Sequence, residues 1–235
     1  MSILDKINEC HPKYPVTIPS TNENTFFRPY LMKEQKILLL AQAESKNFST
    51  LKAISTIVEN CVDSIDNALQ TPLHDIEYLF CQIRAKSVSE MAEPTFTCPD
   101  TGQTVKVGVN LENVKITKGS KNNVIKVNDK ITIHMKHPVI QDYFNAGTEN
   151  FEDSLIAECI EKIIVGDEVF GKNEIEKSEK IEVLESLTQT QYGKLLKFLN
   201  DQPKVYSDVE YRTNDQEIRK LKLSGIYDFF NTLSN

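Results

Sequence analysis

The apolar positions of this chain change period along its length, and each change predicts a change of element. Lys33 to Ser45 reads as a first helix. A second follows with Ser49 at its cap and Leu51, Ile54, Val58 and Val62 at helical spacing, and the two predict an antiparallel pair. A third helix opens where Thr71 can cap it and Pro72 suits the first helical position, since its missing N–H costs nothing there. On that helix Ile76, Leu79, Phe80 and Ile83 form one apolar face, and Tyr78, Cys81, Ala85 and Val88 another nearly opposite. Polar strips carrying Glu77 and Arg84, and Gln82, Lys86 and Ser89, lie between them, which predicts a helix sandwiched between two layers.

After Pro94 the period falls to two. Phe96 and Cys98 precede the turn Pro99-Asp100-Thr101-Gly102, and Val105, Val107, Val109 and Leu111 form the returning strand. Val124 to Val127 and Lys130 to Met135 predict a second hairpin, closed by Asn128-Asp129. Beyond His137-Pro138 the chain reads as helix again, with Leu155, Ile156, Cys159, Ile160 and Ile163 as its stripe. Ser178 starts another helix through Leu187, and Thr188 with Gln191 has the spacing of a capping box for the next, which carries Tyr192, Leu195, Leu196 and Leu199. Lys204 to Arg212, the turn Thr213-Asn214-Asp215-Gln216, and Arg219 to Leu223 predict a last hairpin before Gly225 and an apolar IYDFF.

Helix followed by hairpin therefore occurs twice. The expected class is α+β: helical layers with small antiparallel β-hairpins, arranged as two similar helix-plus-hairpin halves. The boundaries drawn from this pattern are an extended amino-terminal arm over residues 1–26, helices plus hairpins over 27–137, and helices plus a carboxy-terminal hairpin over 138–235, packing with the preceding part as one domain or standing beside it.

Composition narrows the function classes. The 235 residues, 40% hydrophobic, can bury a sizeable core, and a net charge of −7 argues against a surface that tracks nucleic-acid phosphates. The first fifteen residues lack the charged leader and apolar core of a secretory signal, and the longest apolar run, Ile37 to Ala41, is far too short to span a bilayer, so the expected location is the cytosol. Five cysteines without a CxxC pair predict free thiols, with Cys61, Cys81 and Cys159 acting as small hydrophobes at helical positions.

Three candidate chemistries stand against simpler readings. Gly166 to Lys172 has the GxxxxGK spacing of a phosphate loop. It lacks the following Ser or Thr, places Asp167 and Glu168 against the phosphates and follows a predicted helix, so an acidic turn between two helices is expected. Cys98 with His134 and His137 would make an incomplete zinc set, because zinc takes four ligands and each hairpin offers one. Glu149, Glu152, Asp153, Glu158 and Glu161 read as the solvated face of a helix and not as paired catalytic carboxylates, and no nucleophile elbow, HExxH or Gly-rich dinucleotide turn is present.

The strings FFRPYLMKEQKILLLAQ, CVDSIDNALQTPLHDIEYLFCQIRAKSVSE, FTCPDTGQTVKVGVNLENVKI and IKVNDKITIHMKHP, in that order, resemble the baseplate hub proteins of T4-type tailed bacteriophages. The stretch from CIEKIIVGDEVFGK to the last hairpin and its DFF ending is similar to the second half of that family. Apart from the arm, the resemblance covers nearly the whole chain. It implies a late viral protein in assembly of the baseplate hub, without catalytic residues or cofactor, whose partners are other phage baseplate hub proteins and not nucleic acid or membrane. Its implied place is the host cytoplasm during assembly, or the virion tail baseplate if it is a permanent structural subunit. A metal-binding nucleic-acid module is the remote alternative. Many relatives carry a paired-cysteine knuckle at one or both hairpin tips, whereas this chain keeps only Cys98 in the first and has Tyr211 at the matching place in the second. Loops held by a rigid scaffold commonly carry recognition, so partner contacts are expected at Phe27, Arg28, Pro29 and Tyr30 and at the tips, through Asp100, Gly102, Asn214 and Asp215.

Overall fold

The computed structural model describes Ile3, Ile7, residues 10–44 and residues 48–230. The fold is α+β, and its contacts divide it into two compact units, one comprising residues 1–117 with 204–235 and the other 118–203. The breaks at 117/118 and 203/204 replace the expected ones at 26/27 and 137/138. The last hairpin belongs with the amino-terminal helices because its first strand pairs with Lys115–Ile116.

The first unit opens with strands β1 (Tyr14–Thr17) and β2 (Asn24–Phe27), an antiparallel hairpin. This replaces the extended arm expected over residues 1–26 from Tyr14 onward; most of the first nine residues of that arm lie outside the described residues. Val16 and Ile18 are buried, and Pro15 is tolerated because a two-stranded ribbon leaves its missing N–H on an outer edge. Helices α1 (Met32–Glu44), α2 (Ser49–Cys61) and α3 (Leu73–Ser87) follow. Four short strands come next, β3 (Met91–Ala92), β4 (Thr95–Thr97), β5 (Thr104–Lys106) and β6 (Val109–Asn110), with β3 on β6 and β4 on β5. Strand β7 (Lys115–Ile116) is the last element before residue 118.

α3 is the centre of this unit. Ile76, Leu79, Phe80 and Ile83 are buried, as are Cys81 and Ala85 on the opposite face, whereas Val88 is 56% exposed at the helix end. The cap and the polar strip depart from expectation, and a second carboxylate is buried beside them. Thr71 donates its hydroxyl to Asn67 O, so Pro72 occupies the cap position without a side-chain cap. Asp75 is buried, accepting from the backbone N–H and hydroxyl of Ser20. Glu77, expected on a polar strip, is 6% exposed and accepts from Ile226 N at 3.0 Å.

The second unit holds β8 (Val124–Lys126), β9 (Ile131–Met135), α4 (Ile140–Ala146), α5 (Phe151–Cys159), β10 (Ile160–Val165), β11 (Glu168–Gly171), α6 (Lys177–Glu185) and α7 (Gln189–Asn200). Its sheet has the order β11-β10-β9-β8. Ile133, Met135, Ile140, Ile156, Ile160 and Leu195 form the core. The helix predicted through Ile163 ends at Cys159, and the β-branched run Ile160–Val165 becomes a strand. A bulge at Glu161 puts both Ile160 and Ile163 on the core side, which copies helical spacing within a strand. Gly166 to Lys172 is accordingly the turn and return strand of the β10–β11 hairpin and not a turn between helices, with Gly166 at φ 61° in its turn. The capping box of Thr188 and Gln191 forms as expected.

The first unit is completed by β12 (Val205–Arg212), β13 (Ile218–Ser224) and α8 (Ile226–Phe229). β12 and β13 pair over seven residues, and β12 also pairs with β7. Phe230 meets Phe80 edge to face at 5.9 Å, so Phe230 packs on α3.

Candidate functional site: two hairpin tips joined as one

The β4–β5 tip is built from local turn chemistry. Cys98 N donates to Gln103 O and Gly102 N to Cys98 O, each at 2.8 Å, and Gly102 adopts φ 69°, which a residue without Cβ reaches at no steric cost. The β12–β13 tip is a turn in which Gln216 N returns to Thr213 O and the Thr213 hydroxyl donates to Asp215 Oδ1 at 2.6 Å.

These tips, far apart in the chain, meet. Tyr211 is buried, its ring edge-on to Phe96 at 5.5 Å, and its hydroxyl donates to Cys98 Sγ at 3.4 Å. Asn214 N donates to Gln103 Oε1 at 2.9 Å. Arg219 joins the two: its guanidinium grips Asp215 through both terminal nitrogens at 2.9 and 2.6 Å and reaches Asp100 Oδ2 at 3.3 Å, Thr213 Oγ1 at 2.8 Å and Glu217 Oε2 at 3.1 Å. The Arg219 hydrogen bonds, followed by that of the Thr213 hydroxyl, hold the Asp215 carboxyl well below the usual carboxylate range, and Asp215 in turn raises Arg219. A planar guanidinium with five donors suits this fork, which a lysine could not reproduce.

Four of the expected contact residues, Asp100, Gly102, Asn214 and Asp215, are thus brought onto one exposed, acidic platform. The other four are not there. Phe27 is 3% exposed with its ring tilted against Tyr14 at 5.6 Å, Tyr30 is 9% exposed with its N–H donating to Ser87 Oγ, and Pro29 is half-buried. Arg28 bonds Glu34 at 3.0 Å and the carbonyls of Pro29 and Asn60. Phe27 closes β2, and these internal partners make Arg28 to Tyr30 a strap between β2 and α1. Burial would raise the Glu34 carboxyl, but Arg28 and the Leu31 N–H outweigh it and hold it low.

Arg219, Gln103 and Phe96 were missed. Arg219 had a readable signal, since it shares the inward register of β13 with Leu221 and Leu223, a position that calls for an apolar residue unless a partner waits there.

The Cys98 thiol is pulled down to about 7 by hydrogen bonds from the Thr101 and Tyr211 hydroxyls and from the backbone at Thr101 and Asp100. Its surroundings do not fit zinc. The metal needs four sulfur, nitrogen or carboxylate donors, and here one thiol sits among hydroxyls, with Tyr211 donating a proton where a second thiolate would bind. Among the described residues no three His, Cys, Asp or Glu side chains are grouped to hold a metal. The carboxylates of α5 have ordinary partners: Tyr192 lies 2.6 Å from Asp153 and 2.9 Å from Glu152, and Lys177 is 3.5 Å from Glu158. No helix among the described residues is long and apolar enough to cross a membrane.

Neither the curated proteins nor the solved structures contain a match to this chain. A protein-family model described as T4 bacteriophage base plate protein matches residues 11–231, a span that takes in most of the first unit, the whole of the second and the joined hairpin tips. Coverage of that extent shows that this chain belongs to the T4 bacteriophage base plate protein family.

Proposed function

We propose that the protein is a non-enzymatic, protein-binding factor in assembly of the baseplate hub of a tailed phage, and that the joined hairpin tips contact other hub proteins. The observation that carries this reading is the construction of the platform. A buried cross-hairpin contact and an arginine fork hold Asp100, Asn214 and Asp215 rigidly while leaving them exposed. Rigid polar groups are ordered before a partner arrives, which lowers the entropy lost on binding. The acidic rim favours a partner whose matching face is basic.

Arg219→Ala in the full chain tests the platform. The expected result is a folded protein with faster amide exchange at residues 98–104 and 213–217 and reduced co-purification of baseplate proteins from infected cells. Undiminished co-purification alongside faster exchange refutes the platform as the contact site. Mass spectrometry of purified particles separates the assembly factor from the permanent subunit. Absence from finished virions with loss of infectious tails when the gene is deleted supports the former, and a fixed symmetric copy number in virions supports the latter.

A further inference from the structure

α1 is built the wrong way round for a helix lying on a core. Its one fully buried side chain is Glu34, whereas Met32, Leu39 and Leu40 are 67%, 54% and 64% exposed. A groove of mixed character runs along each side of it. One is lined by Leu38, Leu39, Phe80 and Phe230 together with Gln42 and Arg84, the other by Ile37, Leu40 and Ala41 together with Glu44, Lys52 and Thr56. Scattered exposed leucines are ordinary, but a ridge of them between two grooves marks a docking face.

The charges of the helix say what docks. Met32, Lys36, Leu40 and Glu44 stand four residues apart and are all exposed, so they form one stripe in which Met32 is followed by a basic, an apolar and an acidic residue. Glu34 in the first turn suits the helix dipole, which favours acids at the start and bases at the end, but the last turn carries Glu44 and no base, so that end is left opposed to it. A second copy of the same helix laid antiparallel cures this. Lys36 and Glu44 are equidistant from Leu40, so a two-fold axis at Leu40 sets Lys36 of each copy against Glu44 of the other and Leu40 against Leu40. A two-fold interface must be self-complementary, and this stripe is so in the antiparallel sense alone.

We propose that the exposed face of α1 is a homodimer interface in which α1 packs antiparallel on α1 of a second copy, centred on Leu40. The test is light scattering and sedimentation equilibrium of the full chain over about 1 to 100 µM, a range that detects a micromolar dimer. The wild type reaches the dimer mass. Lys36→Glu and Glu44→Lys each raise the dimer dissociation constant roughly tenfold, because two favourable pairs per dimer become repulsive. Combining them restores wild-type association, and Leu40→Glu stays monomeric. Unchanged far-UV circular dichroism verifies that these exposed substitutions leave the fold intact. A wild type that is monomeric throughout overturns the proposal and leaves the face to a different protein. A double charge reversal that associates no better than either single reversal overturns it too.

Discussion

Replacing Glu77 by glutamine should change how the stability of the protein depends on pH. Glu77 lies under Gly225 with its Oε1 taking the N–H of Ile226. Burial pushes its carboxyl from 4.5 up to about 7; the Ile226 N–H and Lys204 oppose the rise and Asp228 adds to it. Between those two values the folded protein holds a proton that the unfolded chain has released, so stability falls as pH rises through the window. The slope is about 1.4 kcal/mol per pH unit, which sums to roughly 3 kcal/mol, with no further change above the folded value. The Glu77→Gln variant keeps an acceptor oxygen for Ile226 and carries no charge there at any pH. Urea unfolding followed by far-UV circular dichroism, in half-unit steps across this window and beyond it on both sides, gives the difference between variant and wild type. That difference should move in favour of the variant by about 3 kcal/mol across the window and stay level outside it. Asp75, whose carboxyl burial also raises, and Glu34, which is lowered, contribute to both proteins and cancel in the difference. A difference independent of pH would refute the argument, since it would mean that Glu77 titrates at the same pH in the folded and the unfolded protein.

Two further substitutions test the packing and the local structure. Phe80→Ala removes a fully buried ring and its edge contact with Phe230, and should cost about 3–5 kcal/mol in urea titration. Thr188→Ala should cost about 1 kcal/mol by opening the capping box of α7, and a serine at the same position should recover most of it.

The elements readable in the chain were those set by neighbours in sequence. Thr188 and Gln191 announce a cap because both hydrogen bonds of the box close within one turn. Asn128-Asp129 announces a hairpin because the Asn128 side chain accepts the N–H groups of Lys130 and Ile131, two and three residues on. The β10 strand was hidden because its bulge gave Ile160 and Ile163 the spacing of a helix, and only pairing with β9 distinguishes the two. The amino-terminal hairpin was hidden because its prolines read as a loop, while the burial of Val16 and Ile18 depends on surfaces contributed by other elements.

The candidate site divides the same way. Asp100, Gly102, Asn214 and Asp215 could be named from the sequence because tight turns demand such residues, and the family resemblance rested on strings that the family match over residues 11–231 bears out. That the two turns form a single platform could not be read. It depends on Tyr211 reaching Cys98 across 113 positions and on Arg219 reaching Asp100 across 119. The chain alone specifies turns, caps and strand alternation, because these close over a few bonds. Which turns meet, which carboxylates are buried and which leucines stay in water are settled when distant surfaces compete for the same core, as Glu77 inside and Leu40 outside both show.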